Sequence, residues 1–233
     1  HALMSCTGLE HQLASIDFKA LSRYDDDDGE AAYTVENGVA TIDVRGLLVP
    51  ETSRDYRSWG VTGYANLADY IQQANDDYTV TSIVLDIDSG GGYVAGLDGI
   101  TETIYQSAKP IETFVSGDMY SAAYWLGAST SKVTASKQSG IGSIGVYVVH
   151  TEESGWLERY GEKVSLFRSG KWKAAFNSFM PLTDDEKQRL QEGVDESASV
   201  FFNHVAAQRN VDAKTVKGWE GDVFTAVKAK ELG

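Results

Sequence analysis

Val80-Thr81-Ser82-Ile83-Val84-Leu85-Asp86-Ile87-Asp88-Ser89-Gly90-Gly91-Gly92 is the stretch on which the fold turns. Its first eight residues are a β-branched, apolar run that reads as a strand buried on both faces, which is the pattern of a parallel sheet. The glycines interrupt it abruptly. In open α/β sheets ligands gather beyond the carboxyl ends of the strands, and glycine there lets the backbone approach a ligand and present its N–H groups. A tight strand-to-helix turn asks for the same residues, so the run alone leaves both readings open. It is not a dinucleotide fingerprint, because the spacing differs and no phosphate-binding lysine follows.

Outward from this strand the elements alternate. Upstream, Tyr33–Glu36 and Val39–Val44 flank Asn37-Gly38, a strong hairpin signal, and Leu47–Val49 extends the second strand. After a loop over residues 50–60, Leu67, Ala68, Ile71 and Ala74 recur at helical spacing from Tyr64 to Asn75-Asp76-Asp77. Downstream, Leu97, Ile100 and Ile104 mark a helix that stops before Pro110, and Ile111–Val115 reads as another buried strand. Small and aromatic residues after Ser121 form a helix, and Lys132–Ala135 a short strand. Then come the glycine-rich Ser139–Gly145, a strand over Val146–Val149, a helix over Glu152–Tyr160, and a strand over Lys163–Phe167. A loop from Arg168 to Pro181 leads to Thr183-Asp184-Asp185-Glu186, a capping box. It opens a long amphipathic helix with Leu190, Val194, Phe201 and Val205 on one face. A short helix near Asp212–Lys217 and a segment from Phe224 to Leu232 close the chain. Strands alternating with helices imply an α/β domain with a mainly parallel sheet over 31–233. Residues 1–30, ending in Asp25-Asp26-Asp27-Asp28, read as a flexible or helical extension with an acidic linker, since adjacent like charges repel.

Composition narrows the partners. The 233 residues carry 34 acidic and 20 basic side chains, a net charge of −14, which argues against nucleic acid and anionic membrane surfaces. Cys6 is the only cysteine and the four histidines are scattered, so no disulfide framework, metal site or cofactor is expected. No run reaches transmembrane length, and the protein is expected in the cytoplasm.

The candidate chemistry centres on Asp118-Met119-Tyr120-Ser121-Ala122-Ala123-Tyr124-Trp125, a strand end passing into a helix. A serine there is either an N-cap or a nucleophile, because the helix N-terminus favours the negative charge that nucleophilic attack creates. Gly90-Gly91-Gly92, the loop Gly140–Gly145 with Ser143, and Arg168-Ser169-Gly170-Lys171-Trp172-Lys173 are the other parts that one site would need. A Ser-His-Asp triad would have to use His150 at a strand end. A lysine serves as the base only if it is neutral. Lowering its pKa by about three units costs roughly 4 kcal/mol, so it needs a dry wall and nearby cations. Trp172, Ala174, Ala175 and Phe176 can supply the first, and Arg168 and Lys171 the second.

Taken together, these motifs resemble the signal peptide peptidase A family of serine proteases, most closely its bacteriophage branch. The resemblance runs from about Asn37 to Gly233. It rests on Val84–Gly92, Met119–Leu126, Gly142–Val146, Ser169–Lys173 and the closing Gly221-Asp222-Val223-Phe224-Thr225, in order and with family-like gaps. It implies a crotonase- and Clp-protease-like βαβ fold with a Ser-Lys dyad. Ser121 is then the nucleophile, Lys173 (not Lys171) the general base, and Ser143 the group that orients the lysine. The N–H groups of Gly91 and Ala122 form the oxyanion hole. Two departures bear on loop rigidity and site width: Gly90 stands where the family usually has proline, and Ala122 and Ala123 replace glycines.

The resemblance further implies protein or peptide substrates, a homo-oligomeric ring with a site shared between subunits, and a role in phage capsid maturation on scaffold and portal proteins. The cleavage would take place in the host cytoplasm or inside the procapsid. Two other readings are carried forward: a crotonase-like acyl-CoA enzyme and a non-catalytic ring subunit of the procapsid.

Overall fold

The computed structural model describes residues 31–52 and 56–233. The acidic run at Asp25–Asp28 and the whole expected extension lie outside them. The described chain builds one eight-stranded sheet. In chain order it runs β1 (Thr34–Glu36), β2 (Val39–Val49), a 3-10 turn at Arg57–Trp59, β3 (Val61–Gly63), α1 (Tyr64–Asp76), β4 (Ser82–Gly92), α2 (Leu97–Tyr105), β5 (Ile111–Tyr120) and α3 (Ala122–Ala128). There follow β6 (Val133–Ala135), β7 (Gly140–Gly142), α4 (Ser154–Arg159), α5 (Asp184–Arg209), α6 (Ala213–Gly218), β8 (Val223–Thr225) and α7 (Ala226–Leu232).

The spatial order is β1-β2-β4-β5-β7-β8, with β3 beside β2 and β6 beside β5. Every pairing is parallel except the two at the ends, β1 with β2 and β7 with β8. The mainly parallel α/β reading therefore holds. The Asn37-Gly38 hairpin forms as expected, with both turn residues at positive φ (51° and 82°), as a two-residue turn between twisted strands requires.

One expectation is corrected. β4 is not buried on both faces but alternates: Ile83, Leu85 and Ile87 face the core under α1, α2 and α3. Val84, Asp86 and Asp88 face the other way. That second face is polar because Arg45 of β2 pairs there with Asp43 and, at 2.8 Å, with Asp86.

The strands also bend at one level. Arg45 pairs with Asp88 and Leu47 with Gly91, so Ser89 and Gly90 together face the single residue Gly46. Ile87 pairs with Val115 and Ser89 with Met119, so Ser116–Asp118 bulge opposite Asp88. Bulges leave ladder groups unpaired and kink the sheet. Here side chains take up the unpaired groups. Thr62 Oγ1 accepts from Arg45 N–H at 2.9 Å and donates to its carbonyl at 2.9 Å. Asp88 Oδ1 accepts from Asp118 N–H at 3.0 Å, and Asp118 Oδ1 from Gly140 N–H at 2.8 Å.

α3 is pinned from two sides. The Trp125 indole N–H donates to Thr101 Oγ1 at 2.9 Å, and its ring packs on Phe201 and stacks on His204 of α5 at 4.2 Å. Burial in that stack holds His204 below the usual imidazole range.

After β7, residues 151–174 are almost all exposed before the chain returns to the core through α5 and to the sheet through β8. The expected helix is present as α4, but the expected strands at 146–149 and 163–167 do not form. Among the described residues both segments lack a sheet partner, so their β-propensity has nothing to act on. α5 begins with the capping box in full: Thr183 Oγ1 accepts from Glu186 N–H, and the Glu186 carboxylate accepts from Thr183 N–H at 2.9 Å. These bonds from Thr183 hold the Glu186 carboxyl below the usual range. Of the apolar stripe expected on α5, Phe201 and Val205 are fully buried, while Leu190 and Val194 are half-buried.

Gly46 tests the bend. Its φ is +63°, and a Cβ there would lie 1.9 Å from the carbonyl oxygen of Gly60, which is fixed by the Leu47 N–H bond. Gly46→Ala should lower unfolding free energy by at least about 2 kcal/mol in a urea titration, since it adds left-handed strain to a backbone clash.

Candidate active site

β5 delivers Ser121 to the N-terminus of α3 in a backbone conformation that side-chain-bearing residues avoid, φ 51° and ψ −123°. Such a conformation costs of order 1–3 kcal/mol and persists only where the surroundings impose it. Here Ser121 N–H donates to the Gly142 carbonyl at 2.9 Å, and its own carbonyl accepts from Trp125 N–H at 3.0 Å. Its hydroxyl makes no capping bond. Other polar N-caps of the chain behave differently. Thr183, Asp212 and Thr225 stand at helix N-caps and each accepts a backbone N–H with its side chain. Ser121 occupies the cap position and withholds its hydroxyl from it.

Ser143 is brought to the same place by sheet register. β7 pairs Tyr120 with Gly142, so the next residue on each strand is a serine, and both serines have positive φ. Ser143 N–H donates to the Asp222 carbonyl at 2.8 Å, which ties the loop to β8. Tyr120 supports the junction from beneath. Burial, with Asp118 nearby, pushes its phenol above the usual range.

Gly91 lies directly against the serine. With φ +95°, a Cβ there would stand 2.7 Å from Ser121 Cβ and 3.0 Å from Ala122 N. Ala122 N–H, first in α3, is one of the N–H groups that a helix leaves without an internal partner. The expected donor role of Gly91 needs correction, however. Its N–H donates to Ser89 Oγ at 3.0 Å, on the side of β2, and so is not offered to Ser121. What Gly91 supplies at Ser121 is space.

Lys173 is exposed in the loop between α4 and α5, and its amine has no hydrogen-bond or ion-pair partner among the described residues. Lys171, by contrast, is engaged with Asp185 and stacks over the Trp172 ring, which also receives Arg189. Ala174 and Phe176, just after Lys173, have positive φ, so strain marks this loop as it marks Ser121 and Ser143. The two described histidines are engaged elsewhere. His150 Nε2 lies 3.1 Å from the Asn177 carbonyl, and His204 packs on Trp125.

A single chain thus assembles Ser121, Ser143, Gly91 and Ala122, and leaves Lys173 in solvent. The model of peptidase family S49 matches residues 103–233, which takes in Ser121, Ser143 and Lys173. The chain belongs to peptidase family S49. Among its relatives, the capsid assembly protease C of Escherichia phage lambda is 32% identical over 92% of this chain and 49% of its own length. The head-tail preconnector protein GP5 of Enterobacteria phage P21 is 33% identical over 86% of this chain and 40% of its own length. The chain therefore spans about half or less of these relatives. The family match also agrees with the crotonase- and Clp-protease-like architecture expected from the sequence.

Sequence reading missed Ser89 and Asp118 as parts of the site. The available signal was a serine where an apolar strand meets its glycines, and the structure buries it to 2% exposure. The adjacent glycines provide a test. Gly91→Ala should slow acylation of Ser121 by a fluorophosphonate at least ~100-fold, a barrier increase of about 2.7 kcal/mol. Gly90→Ala, where a Cβ meets nothing within 4 Å, should change it by less than ~3-fold.

Proposed function

We propose that this chain is a serine endopeptidase that cleaves peptide bonds with Ser121 as nucleophile and Lys173 as general base. The observation that carries the reading is the strained, uncapped hydroxyl of Ser121 beside Gly91 and the Ala122 N–H. Ser121 Oγ bonds to the scissile carbonyl carbon while its proton passes to the neutral Lys173 amine. The Ala122 N–H stabilises the oxyanion, and collapse of the tetrahedral intermediate expels the amine, which takes its proton from Lys173. Water, deprotonated by the same lysine, then releases the acyl group. Ser143 orients the lysine by a hydrogen bond.

A lysine acts as a base only out of water, and Lys173 is exposed in the single chain. The loop that carries it and α4 before it also expose Trp156, Tyr160, Phe167 and Phe179, more apolar surface than a free arm leaves in solvent. The two β-rich runs at 146–149 and 163–167 stand unpaired beside it. These features support a homo-oligomeric ring in which the arm packs on a neighbouring copy and brings Lys173 to that copy's Ser121. The relatives' names, a capsid assembly protease and a head-tail preconnector protein, support capsid maturation as the setting, with scaffold or portal proteins as substrates. The place of action would be the host cytoplasm or the procapsid interior. Among the described residues no helix is long and apolar enough to cross a membrane.

Ser121→Ala and Lys173→Ala should each lower kcat at least ~1,000-fold on a peptide library, whereas Lys171→Ala should stay within a few-fold of the parent. Mixing the two inactive variants should restore cleavage, because some interfaces then join an intact serine to an intact lysine. Undiminished proteolysis by Ser121→Ala would end the proposal. Mixtures that remain inactive would place both residues in one subunit.

A further inference from the structure

Ser89 is buried, 2% exposed, and carries no role in the chemistry above. It sits where β4 has one residue more than β2, opposite Gly46. Just beyond, Tyr93 N–H donates to the Leu48 carbonyl at 2.9 Å, so the residue two before it, Gly91, turns its N–H toward β2 as well. A direct bond from Gly91 to Gly46 would continue that ladder. The Ser89 hydroxyl occupies its place instead, accepting from Gly91 N–H at 3.0 Å and donating to the Gly46 carbonyl at 2.6 Å. One hydroxyl thereby satisfies both groups that the bulge leaves unpaired.

The consequence falls on Ser121. Gly91 has φ +95°, and its Cα faces Ser121 Cβ and Ala122 N with no room for a side chain. Where Gly91 stands therefore sets the space in which the substrate carbonyl must sit. We infer that Ser89 is a positioning residue for catalysis, holding Gly91 in register with Ser121 through its bridge to Gly46. The inference rests on the endopeptidase reading for its kinetic consequence, but its structural part, the bridge, stands independently. An error of about 1 Å in such a site costs on the order of 100-fold in rate.

The test uses the full chain with Ser89→Ala, Ser89→Cys and Ser89→Thr. Cysteine keeps the shape but bridges weakly, and threonine keeps the hydroxyl. Two readouts are taken: the split of kcat and KM on a peptide substrate, and amide exchange at Gly91. For alanine and cysteine kcat should fall 10- to 100-fold with KM within ~3-fold, and Gly91 exchange should accelerate at least ~10-fold. Threonine should restore both to within ~3-fold of the parent. A purely structural role would lower the melting temperature without this split. The inference is overturned if kcat survives in both alanine and cysteine variants, or if Gly91 exchange is unchanged in whichever of them folds. If the parent itself cleaves nothing and its Ser121 is not acylated by a fluorophosphonate, the peptidase reading fails, while Gly91 exchange still decides whether the bridge exists.

Discussion

The bend in the sheet is the constraint on which the rest of the molecule depends. β2, β4 and β5 lose register at one level, and backbone N–H and carbonyl groups left there would each cost about 1–3 kcal/mol if buried without partners. Thr62, Ser89, Asp88 and Asp118 supply those partners in a row that crosses the sheet from β3 to β7. Because of that row the strand ends do not splay. Gly91, Ser121 and Ser143 emerge side by side from three neighbouring strands, and both serines have a backbone that a side-chain-bearing residue avoids.

Strain of this kind has to be held by something rigid. Ser121 is fixed through both backbone groups, and α3 behind it is locked by Trp125, whose indole N–H is satisfied by Thr101 and whose ring is closed in by Phe201 and His204. With the backbone bonds carrying the helix start, the hydroxyl is left over. An ordinary N-cap gives its side chain to the helix and is worth about 1 kcal/mol for doing so. At Ser121 that stabilisation is forgone, as expected where a side chain is kept for chemistry and not for the fold.

Local chemistry was legible in the sequence, and long-range geometry was not. Asn37-Gly38 and the Thr183–Glu186 box act within four residues, so their outcome follows from residue type alone. The alternation of β4 was visible only in Leu85-Asp86-Ile87-Asp88, because Ile83-Val84 masked it with apolar residues on both faces. Val146–Val149 and Lys163–Phe167 have the composition of strands but no partner among the described residues, and a strand needs one. Ser121, Ser143 and Lys173 could be proposed from motif order. That Gly91 turns its N–H to Ser89 could not, since it depends on a bulge that appears only when β2 and β4 are placed side by side.

α5 links the lysine loop to α3 across most of its length. The helix rises about 1.5 Å per residue, so Asp184 lies roughly 25 Å along it from Phe201, where it packs against α3. The lysine loop is tied to the far end: Lys171 to Asp185, Arg168 to Glu186 at 3.9 Å, and Arg189 over Trp172. These are exposed or half-exposed contacts, each worth at most about 1 kcal/mol, but together they carry the loop with the helix. A helix packed on α3 at one end thus carries the loop of Lys173 at the other. In the proposed ring the same helix would set the distance at which that lysine arrives at a neighbouring copy.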